Sequence, residues 1–448
     1  MNEILRQLPK IDRLINAAKL EHIPENFRKC LAIKYVEIAR NSILSGTLNT
    51  IDEQKIIDDI LVEFQKVANG SIKNVINATG ITIHTNLGRS PLSKDMLEKV
   101  IQKAAAYCNL EYNLAEGKRG DRYHHLDAIG EYLFCGYEVL LVNNNAAAVF
   151  LVLNTFAKGR EAVVSRGELV EIGGGFRIPD VMANSGAILQ EVGTTNKTRL
   201  SDYKNAISDE TALLMKVHQS NFSIEGFSEE VSLQELASFA KNIQKISYYD
   251  LGSGLIEPFG SSKKEHTVSE VCTFGLDIIS FSMDKLVGSI QGGIILAKKE
   301  HMKALKENQL LRMLRADKLT IAITEECLLS YLLNEPQKIT AYAMLNASVD
   351  ELREKAAKIC KLLNSKVMYD KILTSTYAGG GSMPNDSFAS FAIALSFNKP
   401  VKLEKYLRQN SIITRIENDF VLLDVRTLFE EDFNFIAEVI NKFYEEQK

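Results

Sequence analysis

The sequence predicts an α/β protein built on a mostly parallel central sheet, with a helical unit before the sheet and a small α+β unit after it. Three observations carry that reading. Apolar residues recur at helical spacing over the first 70 positions. Seven short apolar runs between 138 and 297 alternate with helical patterns, and beyond 330 a long helical run gives way to short strands and a closing helix.

Taken in chain order, residues 1–70 place Ile4, Leu8, Ile11, Leu14 and Ile15, then Leu31, Ile33, Val36, Ile38 and Ile43, then Ile56, Ile57, Ile60, Leu61 and Phe64 at the spacing of three amphipathic helices. Pro24 and the stretch 46–52 mark the breaks. Charge is uneven here: residues 1–40 carry eight Lys or Arg against five acids, and 41–70 carry two against five. A net +3 patch suits an RNA-facing surface or a plain solvated cap. The second unit, 71–330, has strand candidates at 138–142, 161–164, 187–192, 212–217, 246–249, 277–282 and 292–297. Helical patterns between them call for parallel strands covered on both faces. The third, 331–448, has a helical run from 341 to 364, strands around 388–396 and 420–424, and a final helix.

Composition narrows the class. With 448 residues, 46% hydrophobic and 25% charged, the chain can build a large core and more than one domain. No apolar run approaches the roughly 20 residues of a membrane helix, and Met1 to Leu20 is mixed with charge, so no membrane span or secretory signal is expected and the location expected is cytoplasmic. The six cysteines, at 30, 108, 135, 272, 327 and 360, form no CxxC pair. No disulfide framework or metal site is expected of them, and most should be buried structural residues. The net charge of −4 announces no nucleic-acid partner globally, so any such contact relies on local Lys and Arg patches.

Three segments carry chemistry. Between 277 and 299 one lysine, Lys285, lies between two apolar runs, with Ser282 and Asp284 before it and Gly288, Gly292 and Gly293 after it. A lysine pinned at the mouth of a sheet and partly desolvated loses basicity from about 10.4 and can attack an aldehyde, as a Schiff base to pyridoxal phosphate requires. Asp250, 35 residues earlier, ends an apolar run before a glycine turn. A carboxylate there can hold a pyridine nitrogen protonated. At Asn143, Asn144 and Asn145 a strand turns into an alanine-rich helix, whose first N–H groups at Asn145, Ala146 and Ala147 would cradle a phosphate. Each segment alone has a plain reading, as a solvated turn, an Asx turn or an ordinary helix start; the order phosphate turn, aspartate, lysine is the stronger signal.

Longer stretches resemble a known family. They are NVINATGITIHTNLGRSPLS at 74–93, EYNLAEGKRGDRYHH at 111–125, VNNNAAAVFLVLN at 142–154, SRGELVEIGGGFRIPDVMANSGAIL at 165–189, GTTNKT at 193–198, KVHQSNFSIEGF at 216–227, LLRMLRADKLT at 310–320 and GGGSMP at 379–384. Together with the aspartate and lysine segments they resemble bacterial selenocysteine synthase, the L-seryl-tRNA(Sec) selenium transferase family, over essentially the whole chain. The family's lysine segment usually reads Ser-Gly-Asp-Lys, where this chain has Met283 in place of the glycine, so a thioether is expected near the turn.

The resemblance implies a fold-type I pyridoxal phosphate enzyme, with 1–70 as a tRNA-binding domain, 71–330 as the cofactor domain and 331–448 as the small C-terminal domain. It implies Lys285 and Asp284 as catalytic residues, and Lys285, Asp250, Asn145, Ala146, Ala147 and Ser282 as cofactor-binding. The reaction implied is loss of the β-hydroxyl of seryl-tRNA(Sec) to give an enzyme-bound dehydroalanyl-tRNA, then addition of selenide from selenophosphate. Because the serine carboxyl is esterified, no arginine clamp for a carboxylate is needed. Arg89 and the pair Arg312 and Arg315, three apart on one helical face, resemble the family's selenophosphate-side residues. A homo-oligomer is implied, a decamer made as a ring of five dimers. His84, His218, Glu168 and Arg177 are further pocket candidates against a default of core or loop hydrogen bonding; His124 and His125 follow a charged loop at the surface. A pyridoxal-dependent lyase or ammonia-lyase acting on a small amino acid or amino sugar phosphate stays open. So does a non-catalytic tRNA-binding protein on the same fold.

Overall fold

The computed structural model describes residues 2–172, 175–218, 226–260 and 265–446, and the chain forms two compact units, Met1–Val75 and Ile76–Lys448. In the first, short helices at Asn2–Leu5 and Ile11–Ile15 precede two longer ones at Glu25–Leu44 and Glu53–Ala68. Leu14, Leu20, Ile23, Leu31, Ala32, Val36, Ala39, Ile56, Ile57 and Ile60 close its core. The first expected helix is thus two pieces. Pro9 lacks the N–H an unbroken helix needs and disfavours the α region for Leu8 before it. Asp52 caps the last helix by accepting from Lys55 N at 3.1 Å.

The second unit is organised by a seven-stranded sheet: β1 (Glu138–Val142), β2 (Glu161–Ser165), β3 (Ile188–Val192), β4 (Thr211–Val217), β5 (Ile246–Gly252), β6 (Ile278–Ser282) and β7 (Gly293–Ala297). Their spatial order is β1-β7-β6-β5-β4-β2-β3. Six strands point the same way; β7 runs antiparallel to both neighbours. All seven runs expected as strands pair here. The inner strands are largely apolar because both faces are covered, while the edge strand β3, which contains Gln190 and Glu191, is partly exposed. Val139, Leu141, Tyr249, Ile279, Phe281, Ile294 and Leu296 face helices that include Lys94–Ala104 and Lys318–Leu332, while Leu140, Val142, Tyr248, Ile278 and Ile295 face those at Asn145–Phe156 and Ile178–Ser185.

Beyond it lies a four-stranded antiparallel sheet of β8 (Tyr369–Gly379), β9 (Ser382–Ser396), β10 (Arg415–Glu417) and β11 (Phe420–Asp424), in the order β8-β9-β11-β10. The helical run expected over 341–364 is interrupted. One helix, Thr340–Asn346, stops, and Ser348 caps the next, Val349–Cys360, in a capping box with Glu351. The cysteines divide differently from expectation: Cys272 and Cys327 are buried and Cys360 partly so, but Cys30, Cys108 and Cys135 are exposed. Cys30 lies in Glu25–Leu44, which buries only one face, and Cys135 sits at a turn with φ of 54°.

The residues entering from the first unit are tied to this C-terminal layer before they reach the main sheet. Ile76 and Asn77 pair in parallel with Ile412 and Ile413, Asp424 N donates to Ala78 O at 2.9 Å, and Thr427 Oγ1 donates to Asn77 O at 2.6 Å. Buried Asp424 accepts from Ser390 Oγ at 2.7 Å and pairs with Arg415 at 3.2 Å. Gly80, at φ of 82°, passes so close that a Cβ there would lie 2.3 Å from an Asp424 carboxylate oxygen. Gly80→Ala should therefore lower stability by about 2–4 kcal/mol in urea unfolding, combining strain with overlap. Gly136→Ala, at φ of 83° with open space around it, should cost about 1–2 kcal/mol, the strain alone.

Candidate active site

The C-terminal ends of the parallel strands bring together the segments singled out in sequence. Because β7 lies between β6 and β1, its first residue, Gly293, stands opposite both Ser282, the last of β6, and Val142, the last of β1. The lysine turn and the asparagine turn therefore flank one glycine. A Cβ at Gly293 would lie 2.3 Å from Asn144 O, so only glycine admits this approach.

The turn carrying Lys285 is held from all sides. Met283 N donates to Gly292 O and Ser289 N to Met283 O, each at 2.9 Å. Ser90 Oγ donates to Lys285 O at 2.8 Å, Leu286 N to Ser253 O at 3.2 Å, and Tyr331 Oη to Val287 O at 3.0 Å. Met283 points away from the chemistry: it is fully buried in the apolar core against Gly292. Lys285 is itself buried, and among the described residues no carboxylate forms an ion pair with its amine. Burial pushes that amine below the ordinary lysine value; Asp250 opposes this, and the positive charge of Arg89 adds to it.

Two carboxylates sit nearby with their charges taken up by other donors. Asp284 receives Arg89 Nη1 at 3.0 and 2.8 Å. The turn that delivers Arg89 starts at His84, whose carbonyl accepts from Arg89 N at 3.1 Å, and it closes with Arg89 itself at φ of 63°. His84 Nδ1 is buried without a partner among the described residues, and burial holds the ring below the ordinary histidine value. Asp250 receives Asn145 Nδ2 at 2.8 Å. Burial raises its carboxyl above the usual range, against the Asn145 hydrogen bond and the charge of Lys285. His218 follows β4 beside it, its N–H donating to Asp250 O at 2.9 Å and its Nε2 lying 3.2 Å from Glu265 Oε1.

At the asparagine turn, Asn144 is an N-cap: its Oδ1 accepts from Ala147 N at 2.8 Å. Of the three N–H groups expected to face a phosphate, Ala147 is already satisfied, and helix geometry leaves Asn145 and Ala146 as the outward donors.

The other candidates are distributed more widely. Arg312 and Arg315 line a cleft of about 240 Å³ shared with Glu111, Arg119 and Arg122. Arg312 lies in the helix Leu311–Leu314 and Arg315 caps its end. Glu111 is the focus of that cleft, paired with Arg122, with Arg119 at 3.3 Å and with Arg315 at 3.5 Å. The segment joins the asparagine turn through Asn143 N donating to Leu314 O at 2.9 Å. Glu168 is buried after β2, accepting from Val217 N at 2.9 Å and pairing with Lys216 at 3.1 Å, a bracing role for the end of β4. Arg177 is exposed in a surface hairpin and pairs with Glu171 at 2.7 Å. His124 is exposed, and His125 lies 3.2 Å from Leu110 O. Residues 219–225 of the segment 216–227, and two glycines of the 165–179 loop, lie outside the described residues.

The residues present fit pyridoxal phosphate. A desolvated amine of lowered basicity, a buried aspartate whose charge a pyridinium would restore, and two uncapped helix N–H groups share one strand edge. Fold and site together define a fold-type I pyridoxal phosphate enzyme. The fold is similar to that of D-glucosaminate-6-phosphate ammonia-lyase, with a TM-score of 0.59 at 16% identity over 86% of this chain and 98% of that one.

Sequence comparison goes further. The family model described as L-seryl-tRNA selenium transferase matches residues 75–429. The L-seryl-tRNA(Sec) selenium transferase of Aliarcobacter butzleri is 46% identical over 99% of this chain and 100% of its own length. That of Aquifex aeolicus is 42% identical over 99% of both. The chain belongs to the L-seryl-tRNA selenium transferase family.

Two substitutions test the site. Borohydride reduction of enzyme incubated with pyridoxal phosphate should tag the Lys285 peptide by mass, and Lys285→Ala should abolish the tag without changing the fold by circular dichroism. Gly293→Ala should weaken cofactor binding by at least about 10-fold in equilibrium dialysis, because the displaced Asn144 carbonyl moves the anion donors.

Proposed function

We propose that this enzyme converts L-seryl-tRNA(Sec) to L-selenocysteinyl-tRNA(Sec), with selenophosphate as the selenium donor. The observation that carries the reading is the buried, unpaired Lys285 amine beside Asp250, in a chain similar end to end to proteins of that name. Bound pyridoxal phosphate supplies an electron sink for the pair left at the substrate Cα. The chain does the rest. Asp250 would hold the positive end of that sink, and Asn145 orients Asp250. The Lys285 amine, its basicity lowered by burial, is the base for the Cα proton. The β-hydroxyl then leaves as water; the P–Se bond of selenophosphate breaks with water taking up the phosphoryl group as phosphate, the selenide so released adds to the β-carbon of the dehydroalanyl-tRNA, and Cα regains a proton from the Lys285 ammonium.

Arg312 and Arg315 supply fork-shaped donors for the phosphate of the selenium donor, in a cleft joined to the asparagine turn. Arg89 is the third such residue, held ready by Asp284. Residues 1–70 serve as the tRNA-binding domain; the excess of Lys and Arg over residues 1–40 supports this. Family membership supports a homo-oligomer, a ring of five dimers, and a cytoplasmic location. No helix among the described residues is long and apolar enough to cross a membrane.

The absorbance spectrum is the direct test. Wild-type enzyme should show a visible cofactor band that seryl-tRNA(Sec) perturbs and free serine does not; a response to free serine would instead mark a small-molecule lyase. Replacing Arg312 or Arg315 with Gln should raise the KM for selenophosphate by about 10-fold or more with little effect on dehydroalanyl-tRNA formation, as expected for a lost charge-assisted pair.

A further inference from the structure

Loss of the β-hydroxyl needs a proton for the departing oxygen, since hydroxide leaves slowly without one. Lys285 takes up a proton in the same step. A second titratable group stands beside Asp250: the imidazole of His218, half-buried at the end of β4, edge-on to Tyr249 with ring centroids 6.4 Å apart. Glu265 faces its Nε2 at 3.2 Å, and Ser253 Oγ donates to the same Glu265 oxygen at 2.6 Å. Ser253 in turn accepts from Leu286 N at 3.2 Å, next to Lys285. Glu265 therefore joins three segments that carry site groups: the end of β4, the turn after β5 and the lysine turn.

We propose that Glu265 is a positioning residue which, through His218, holds a proton at the site for the oxygen leaving Cβ; this rests on the transferase reading. With the carboxylate on Nε2, the ring is fixed so that Nδ1 is presented on its other side, and the imidazolium has a counter-ion. The step balances. The Cα proton goes to the Lys285 amine, the C–H electron pair becomes the Cα=Cβ bond, the C–O pair leaves on oxygen, and the His218 proton makes that oxygen water. The imidazole regains a proton from solvent. The charged groups around the pair are Asp250 and, beyond it, Lys285, with His266 beside Glu265. Burial works to raise the Glu265 carboxyl, but the hydrogen bond and charge of His218, with the Ser253 hydrogen bond and the charge of His266, outweigh it and hold the carboxyl below its usual range.

The test compares leaving groups in the cofactor-loaded enzyme. Chloride needs no proton, so β-chloroalanyl-tRNA(Sec) bypasses the step that seryl-tRNA(Sec) requires. In Glu265→Gln, elimination from seryl-tRNA(Sec) should slow by about 10- to 100-fold, while that from β-chloroalanyl-tRNA(Sec) should stay within about 2-fold, and cofactor affinity and absorbance maximum should not change. His218→Asn should show the same selectivity. Equal slowing of both substrates, a change in cofactor affinity, or no slowing of either would overturn the proposal alone. Wild-type enzyme that converts neither substrate would overturn the transferase reading and this proposal with it.

Discussion

Keeping a lysine amine out of water without giving it an anion to touch is the constraint on which the rest of this structure depends. A buried ammonium without a contacting counter-ion is costly, so burial lowers the basicity of the amine and favours its nucleophilic form. Two carboxylates lie close enough to undo this, and each is engaged elsewhere: Asp284 by Arg89 and Asp250 by Asn145. Arg89 reaches its partner only through a turn ending in a left-handed, non-glycine residue. Such backbone persists where surrounding contacts over-determine it.

The antiparallel strand β7 is the architectural counterpart. By lying between β6 and β1 it sets the lysine turn beside the asparagine turn, although 140 residues separate Asn145 from Lys285. The contact between the two turns is backbone on backbone, which is why a glycine is required at Gly293 and why no side chain could adjust the spacing. Once the turns are placed, the turn after β1 is tied through Asn143 N to Leu314 O and so to the segment bearing Arg312 and Arg315.

Much of this was legible in the sequence. The inner strands of the main sheet are largely apolar because they are covered on both sides, and that pattern marks them whatever their order; the edge strand β3, with Gln190 and Glu191, shows it less. Lys285, Asp250 and Asn145 were recognisable because strand ends and turn residues betray them locally. What failed was what depends on partners distant in the chain. Residues 341–364 keep an apolar rhythm through Ala347 and Ser348, and only the Ser348 and Glu351 pair signals a new start. Strand β8, half exposed on one edge, alternates too weakly to stand out. Glu265 carries no local signal at all, since its meaning comes from His218 and Ser253. Asn144 did have one, the preference of asparagine for the first position before a helix, and it explains why Ala147 is not an available donor.

The lowered basicity of Lys285 has a chemical cost as well as a use. Surface lysines are shielded from stray aldehydes and isocyanates by the proton they carry at neutral pH. Lys285, with its basicity lowered by burial, keeps that shield less completely, so while no cofactor is attached the amine that must meet the cofactor's aldehyde is open to other aldehydes as well. Occupancy by pyridoxal phosphate is then also protection against covalent damage, and the enzyme's working life depends on how promptly each newly folded chain is loaded.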